Sequence, residues 1–185
     1  FEDVSIDGEF VNLAPDRVAE VVNANLDGDY FTLDLDSMRD ALLTLPWVED
    51  VSVRRRWPSG LDITIVEKQA VAYWGEKALL SDRGDVFTPV SRPTDLGLPA
   101  LQGPEGLHGT VWDFYIRTGE AMADFGLAIA RLELDVRRSW HLRLANGLSV
   151  KLGRNHIEDR VQRLLNVFSM QEVIGLDDVS RIDMR

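Results

Sequence analysis

Apolar and polar side chains alternate over Val4-Ser5-Ile6, the mark of a short strand. Pro15 then stands where the first turn of a helix tolerates proline, and Val18, Val21 and Val22 share one face until the polar run from Asn23 to Asp29. A second helix is predicted from Asp36, a good N-cap. Met38, Ala41, Leu42 and Leu45 repeat at i, i+3, i+4 and i+7 before Pro46 stops the pattern. A hairpin follows, with Val51, Val53, Arg55 and Trp57 on one face, Pro58-Ser59-Gly60 as the turn, and Leu61, Ile63 and Ile65 returning. Trp57 facing Leu61 would set Val53 opposite Ile65 and Arg56 opposite Asp62. The order strand, helix, helix, strand, strand describes a compact α+β unit, two helices on a three-stranded sheet.

After Lys68 the pattern turns to a run of β elements, so a domain boundary is placed there: residues 1–68 and residues 69–185. The second part opens with a strand at Ala70 to Trp74 and a hairpin from Ala78 to Thr88 around Asp82-Arg83-Gly84. Val90 to Gly109, rich in Pro and Gly, reads as one long loop. Val111, Phe114, Tyr115, Met122 and Phe125 then mark a helix. Strands are expected at Ile129 to Asp135 and Trp140 to Leu144, and Asn146-Gly147 turns the chain into Leu148 to Leu152. A last helix starts near Ile157, capped by Asn155, with Val161, Leu164, Leu165 and Phe168 as its buried stripe. Val179 to Met184 begins a final strand. The second part is thus a mixed β-sheet domain with two helices.

Charge strengthens the division. The chain carries 20 Lys+Arg against 31 Asp+Glu, net -11. Residues 1–68 hold 6 of the basic and 15 of the acidic side chains, leaving 14 and 16 for residues 69–185. Such acidity opposes a sequence-independent grip on nucleic acid or anionic lipid. With 45% hydrophobic residues the chain has enough apolar side chain for a core. It has no cysteine, hence no disulfide and no thiolate ligand or nucleophile. No uncharged apolar run reaches the roughly 18 residues of a membrane span. The chain opens at Phe1 without an initiator methionine and stops at Arg185 inside an expected strand, so both ends read as cut, which leaves room for a membrane anchor outside the sequence.

Candidate chemistry is sparse. His108, His141 and His156 lie far apart and share no paired-ligand spacing, so no metal or other cofactor is expected. Asn25 to Asp29 resembles a calcium loop only superficially, lacking the sixth-position glycine and the bidentate Glu; it reads as a solvated turn. Gly103-Pro104-Glu105-Gly106 lacks the Gly-Lys-Ser/Thr of a phosphate loop, and there is no Gly-x-Ser-x-Gly elbow, so no catalytic residue is assigned. Arg54, Arg55 and Arg56 alternate faces on their strand rather than forming one patch. Of the five tryptophans, Trp112 is the one expected to be exposed, while Trp57 and the rest read as core or rim.

Leu45-Pro46-Trp47-Val48, Val51-Ser52-Val53-Arg54, Trp57-Pro58 and Leu61 to Glu67 together resemble the POTRA domain of the FtsQ (FtsQ/DivIB) family of bacterial cell-division proteins. The resemblance continues in the family's order through Ala70-Val71-Ala72-Tyr73-Trp74, Ser81 to Phe87, Leu98-Pro99 with Leu101 and Gly103-Pro104, Arg137-Arg138-Ser139-Trp140, Leu152-Gly153-Arg154 and Ile182-Asp183-Met184-Arg185, covering essentially the whole chain. It implies a non-enzymatic divisome scaffold of the division septum: the periplasmic part of a single-pass inner-membrane protein, touching the membrane only through an N-terminal helix outside this chain. It also implies partners: FtsB and FtsL at the β domain, through strand addition beside Arg138, Asp183 and Arg185, and upstream divisome proteins at a POTRA surface comprising Asp50, Val53 and Arg55. Arg55 is expected to be exposed with Asp50 bordering it, and Arg138 and Arg185 to converge on one partner carboxylate. Family members continue past Arg185 with a Tyr-containing strand that forms much of the partner site. The alternative is a POTRA-type chaperone or translocation module of an outer-membrane assembly factor, which a second POTRA repeat would favour.

Overall fold

The computed structural model describes residues 3–26, 31–171 and 180–184. Two compact units divide the chain, residues 1–69 with 87–90 and residues 70–86 with 91–185.

The first unit runs β1 (Asp3–Asp7), α1 (Pro15–Ala24), α2 (Leu35–Leu43), β2 (Val48–Arg56) and β3 (Gly60–Glu67). Its sheet has the order β1-β3-β2, with β1 parallel and β2 antiparallel to β3. Pro15 sits at the start of α1, as expected from its missing N–H. The cap of α2 is Asp34, not Asp36: its carboxylate accepts from the Asp36 and Ser37 amides at 3.0 Å each. Asp36 instead lies inside the first turn, where its charge favours the helix dipole. Met38 and Leu42 of α2 are fully buried, worth roughly 1.5–3 kcal/mol each.

The hairpin register differs from the predicted one by two residues. Arg55 faces Leu61, Val53 faces Ile63 and Val51 faces Ile65. A two-residue slip preserves every side chain's face, so the core stripe was read rightly and the pairing was not. Its consequence falls on Trp57, which leaves the strand for the turn and is 85% exposed. Arg56 stands opposite Gly60 in the sheet, yet still reaches Asp62 at 3.5 Å and also pairs with Asp3. A Cβ at Gly60 would come within 2.9 Å of the Arg56 Nε, so the missing side chain opens the path by which Arg56 crosses β3.

After the first unit's β3 come β4 (Ala70–Trp74), β5 (Ala78–Ser81), β6 (Val86–Phe87, which straddles the division between the units), β7 (Ala100–Gln102), α3 (His108–Ala123), β8 (Ile129–Leu134), β9 (Trp140–Leu144), β10 (Ser149–Gly153), α4 (Ile157–Gln171) and β11 (Arg181–Asp183). Their mixed sheet has the order β11-β10-β9-β8-β7-β4-β5-β6. The stretch read as one long loop hides β7, which lies mid-sheet, parallel to both β4 and β8. Three residues between Pro99 and Gly103 are too few to show period-two alternation. Before α4 the carbonyl of His156 takes the Arg160 amide, placing His156 rather than Asn155 at the helix start.

Two β-α-β crossovers, β7-α3-β8 and β10-α4-β11, each join parallel neighbours and step along the sheet in the same direction. The right-handed rule therefore sends both helices to one face. Both are found there, burying Val111, Phe114, Met122, Val161, Leu164 and Leu165 in one core with Leu132, Leu142 and Val150. Trp112, expected to be exposed, is half-buried against this core and stacks on Tyr115 at 5.4 Å. The opposite face of β8 to β11 carries none of these residues.

Candidate partner-binding surfaces

On β2 the three residues singled out from the sequence do not form one patch. Arg55 is exposed, but its guanidinium donates to the Leu33 carbonyl at 2.7 Å, so it braces the segment entering α2. Val53 beside it is half-buried. Asp50 does not border Arg55: five steps along an extended strand separate them by about 16 Å, on opposite faces. Its carboxylate receives Arg39 from α2 at 3.4 Å and the Val51 amide at 2.9 Å.

Arg138 lies in the turn between β8 and β9 with φ of 64°, a left-handed conformation uncommon for a side chain other than Gly, Asn or Asp. Asp135 closes this turn, its carboxylate accepting from the Arg137 and Ser139 amides at 2.8 Å each, while its carbonyl takes the Arg138 amide. The Ser139 amide above all, then the Arg137 amide and His141, hold the Asp135 carboxyl below its usual range against some desolvation. With its backbone so fixed, the Arg138 side chain is exposed. Asp183 is exposed too and pairs in register with Lys151, which faces His141 just inside the same turn. The structure thus brings Arg138 and Asp183 to one end of the sheet; Arg185 lies outside the described residues. Among the described residues β11 forms one edge of the sheet, hydrogen-bonded to β10.

Across the uncovered face run two rows that local reading did not find. In one, Arg131 faces Arg143, Arg143 faces Ser149, and Ser149 faces Arg181. In the other, Glu133, His141, Lys151 and Asp183 follow one another across the same four strands. All of these but Asp183 line a shallow concavity of about 290 Å³. Only the register between strands up to fifty positions apart assembles these rows.

Among the described residues no group of three or more His, Asp or Glu side chains gathers as a metal site. The histidines keep separate neighbours, His108 the Trp74 ring, His141 Asp135 and His156 Asp159. Part of the calcium-like stretch, residues 27–29, lies outside the described residues. No described helix is long and apolar enough to cross a membrane.

Comparison with known proteins covers both units. The family model described as POTRA domain, FtsQ-type, matches residues 1–68, and that described as cell division protein FtsQ/DivIB, C-terminal, matches residues 72–185. The chain is 32% identical over 179 residues to the cell division protein FtsQ of Nitrosospira multiformis, covering 96% of this chain and 74% of that one. Against FtsQ of Xanthomonas campestris pv. campestris identity is 35% over 180 residues, 97% of this chain and 64% of that one. Against FtsQ of Burkholderia pseudomallei it is 33%, covering 99% and 75%.

Proposed function

Because the chain belongs to the FtsQ/DivIB family of cell-division proteins, we propose that it is a non-catalytic scaffold of the divisome, the periplasmic part of an inner-membrane protein at the septum. Its second unit takes FtsB, with FtsL, by strand addition at the β11 edge, and its first unit meets upstream division proteins around the exposed end of the β2–β3 hairpin. The observation that carries this reading is the edge position of β11, beside the turn that presents Arg138. An edge strand offers unpaired N–H and C=O groups to an incoming strand, and a guanidinium near its end sets the register by a forked bond to a carboxylate. Arg185 would supply the second guanidinium.

The test is binding of an FtsB peptide to a chain extended past Arg185, with Arg138→Ala, Arg185→Ala and the double variant compared. Each single truncation should cost roughly 2–5 kcal/mol if it strips one member of a desolvated pair. Unchanged affinity in both single variants defeats the arginine assignment, and no binding by the unaltered extended chain defeats strand addition itself. For the first unit, an Arg55→Glu variant that folds and still localises normally to the septum removes Arg55 from the recruitment surface.

A further inference from the structure

The uncovered face of β8 to β11 gathers positive charge that the protein leaves unused. Arg131, Arg143 and Arg181 are all exposed, and among the described residues none of their guanidiniums has an ion-pair or hydrogen-bond partner. Arg131 and Arg143 stand directly opposite each other on antiparallel strands, an arrangement that destabilises a sheet by itself. With Lys151 the face holds four cations against Glu133 and Asp183, in a chain whose net charge is -11.

We propose that this arginine row is a docking site for an acidic segment of a partner protein, laid across the strands and separate from the β11 edge. Strands lie about 4.8 Å apart, so the row spans about 14 Å from Arg131 to Arg181, more than a single oxyanion bridges. Carboxylates on a peptide crossing the strands meet Arg131 and Arg143 together and Arg181 further on, with Ser149 as a polar contact between. The second row argues against an anionic membrane as the occupant. Glu133 and Asp183 mark its two ends and repel a uniformly negative surface, as does the chain's overall charge. An acidic segment narrow enough to follow the arginine row alone avoids those carboxylates, which a broad surface does not. Association of this kind is salt-dependent, because the cations are exposed.

The test uses the whole chain at low ionic strength and follows fluorescence anisotropy of a labelled glutamate-rich peptide of about a dozen residues, a length that spans the row in extended or helical form. Its glutamine counterpart, inorganic phosphate and phosphatidylglycerol vesicles are the comparison probes. The glutamate peptide should bind and the glutamine peptide should not. Arg131→Glu, Arg143→Glu and Arg181→Glu should each weaken binding at least tenfold with unchanged circular dichroism. Arg163→Glu, on the exposed side of α4, changes net charge equally and should have little effect. Equal weakening by Arg163→Glu, vesicle binding that depends on Arg143, saturation by phosphate alone, or no binding of the glutamate peptide would each overturn the proposal. The FtsB peptide run on the same variants reports the edge separately: loss there with retention here, or the reverse, tells the two readings apart.

Discussion

Each unit has a sheet with one face under helices and one face open, and the two open faces treat their charges in opposite ways. On the first, Arg56 crosses Gly60 to pair with Asp3 and also reaches Asp62, while Arg54 stands in register with Asp62. Acids on β1 and β3 meet bases on β2, and the face satisfies itself. On the second, Arg131, Arg143 and Arg181 share a row with Ser149, and the acids stand in the neighbouring row. The lesson is that arginine count says little about availability: three consecutive arginines on β2 include one that braces a loop and one held by two acids, whereas three arginines scattered over fifty residues form a row with no partner among the described residues.

The largest expected effect concerns the contrast between covered and open faces within one strand. Leu142 on β9 is 3% exposed in the core beneath α3 and α4. Leu142→Ala should destabilise the chain by about 2–5 kcal/mol through lost burial and the cavity left behind. Arg143, the next residue, faces open solvent, and its truncation should cost none of this. Denaturant midpoints of the two variants check the claim. Similar losses from both would mean that the arginine face is also structural.

A smaller loss is expected at Glu67, the last residue of β3. Its carboxylate accepts from the backbone amides of Val11, Asn12 and Leu13 at 2.8, 2.9 and 3.2 Å and from the Asn12 side chain at 2.9 Å, tying down the segment between β1 and α1. Glu67→Ala orphans these partly exposed donors and should cost about 1–3 kcal/mol, with Glu67→Gln in between because one oxygen is kept. No change in midpoint for Glu67→Ala would show that water replaces the carboxylate without loss. The second unit's counterpart is Asp135, which closes its turn in the same manner with a carboxylate on successive amides.

Long amphipathic elements were legible in the sequence and short or non-local ones were not. The strand-helix-helix-strand-strand order, the stripe Met38-Leu42 and the stripe Val161-Leu164-Leu165 follow from periodicity sustained over two or more turns or several strand residues. β7 escaped because three residues carry no period, and the cap of α2 was misplaced because Asp34 and Asp36 are equally good capping types two positions apart. At the candidate surfaces, Arg138 was expected from the family resemblance to reach a partner carboxylate and is exposed, but the turn that Asp135 closes around it was not legible from local pattern. Neither was the bracing of Arg55 by the Leu33 carbonyl, since it joins positions 22 residues apart. The arginine row was least legible of all, because β11 reaches β10 only through the α4 crossover and its register is a tertiary fact.

The smallest expected effect is also the sharpest test of the comparison, because it predicts opposite signs. Arg56→Gln on the first face removes a cation flanked by Asp3 and Asp62 and should destabilise the chain by no more than about 1 kcal/mol, the usual scale of exposed ion pairs. Arg143→Gln on the second face removes one of two like charges directly opposed across antiparallel strands and should stabilise it by about 0.2–1 kcal/mol. Both effects should shrink as salt rises, since the groups are exposed enough to be screened. Thermal melts of the two variants at low and high ionic strength measure this directly, within a single background and without any ligand. If Arg143→Gln also lowers the midpoint, the row is satisfied by the protein itself and has no charge to offer a partner. If it raises the midpoint while abolishing glutamate-peptide binding, the free chain carries a repulsion that an acidic partner relieves.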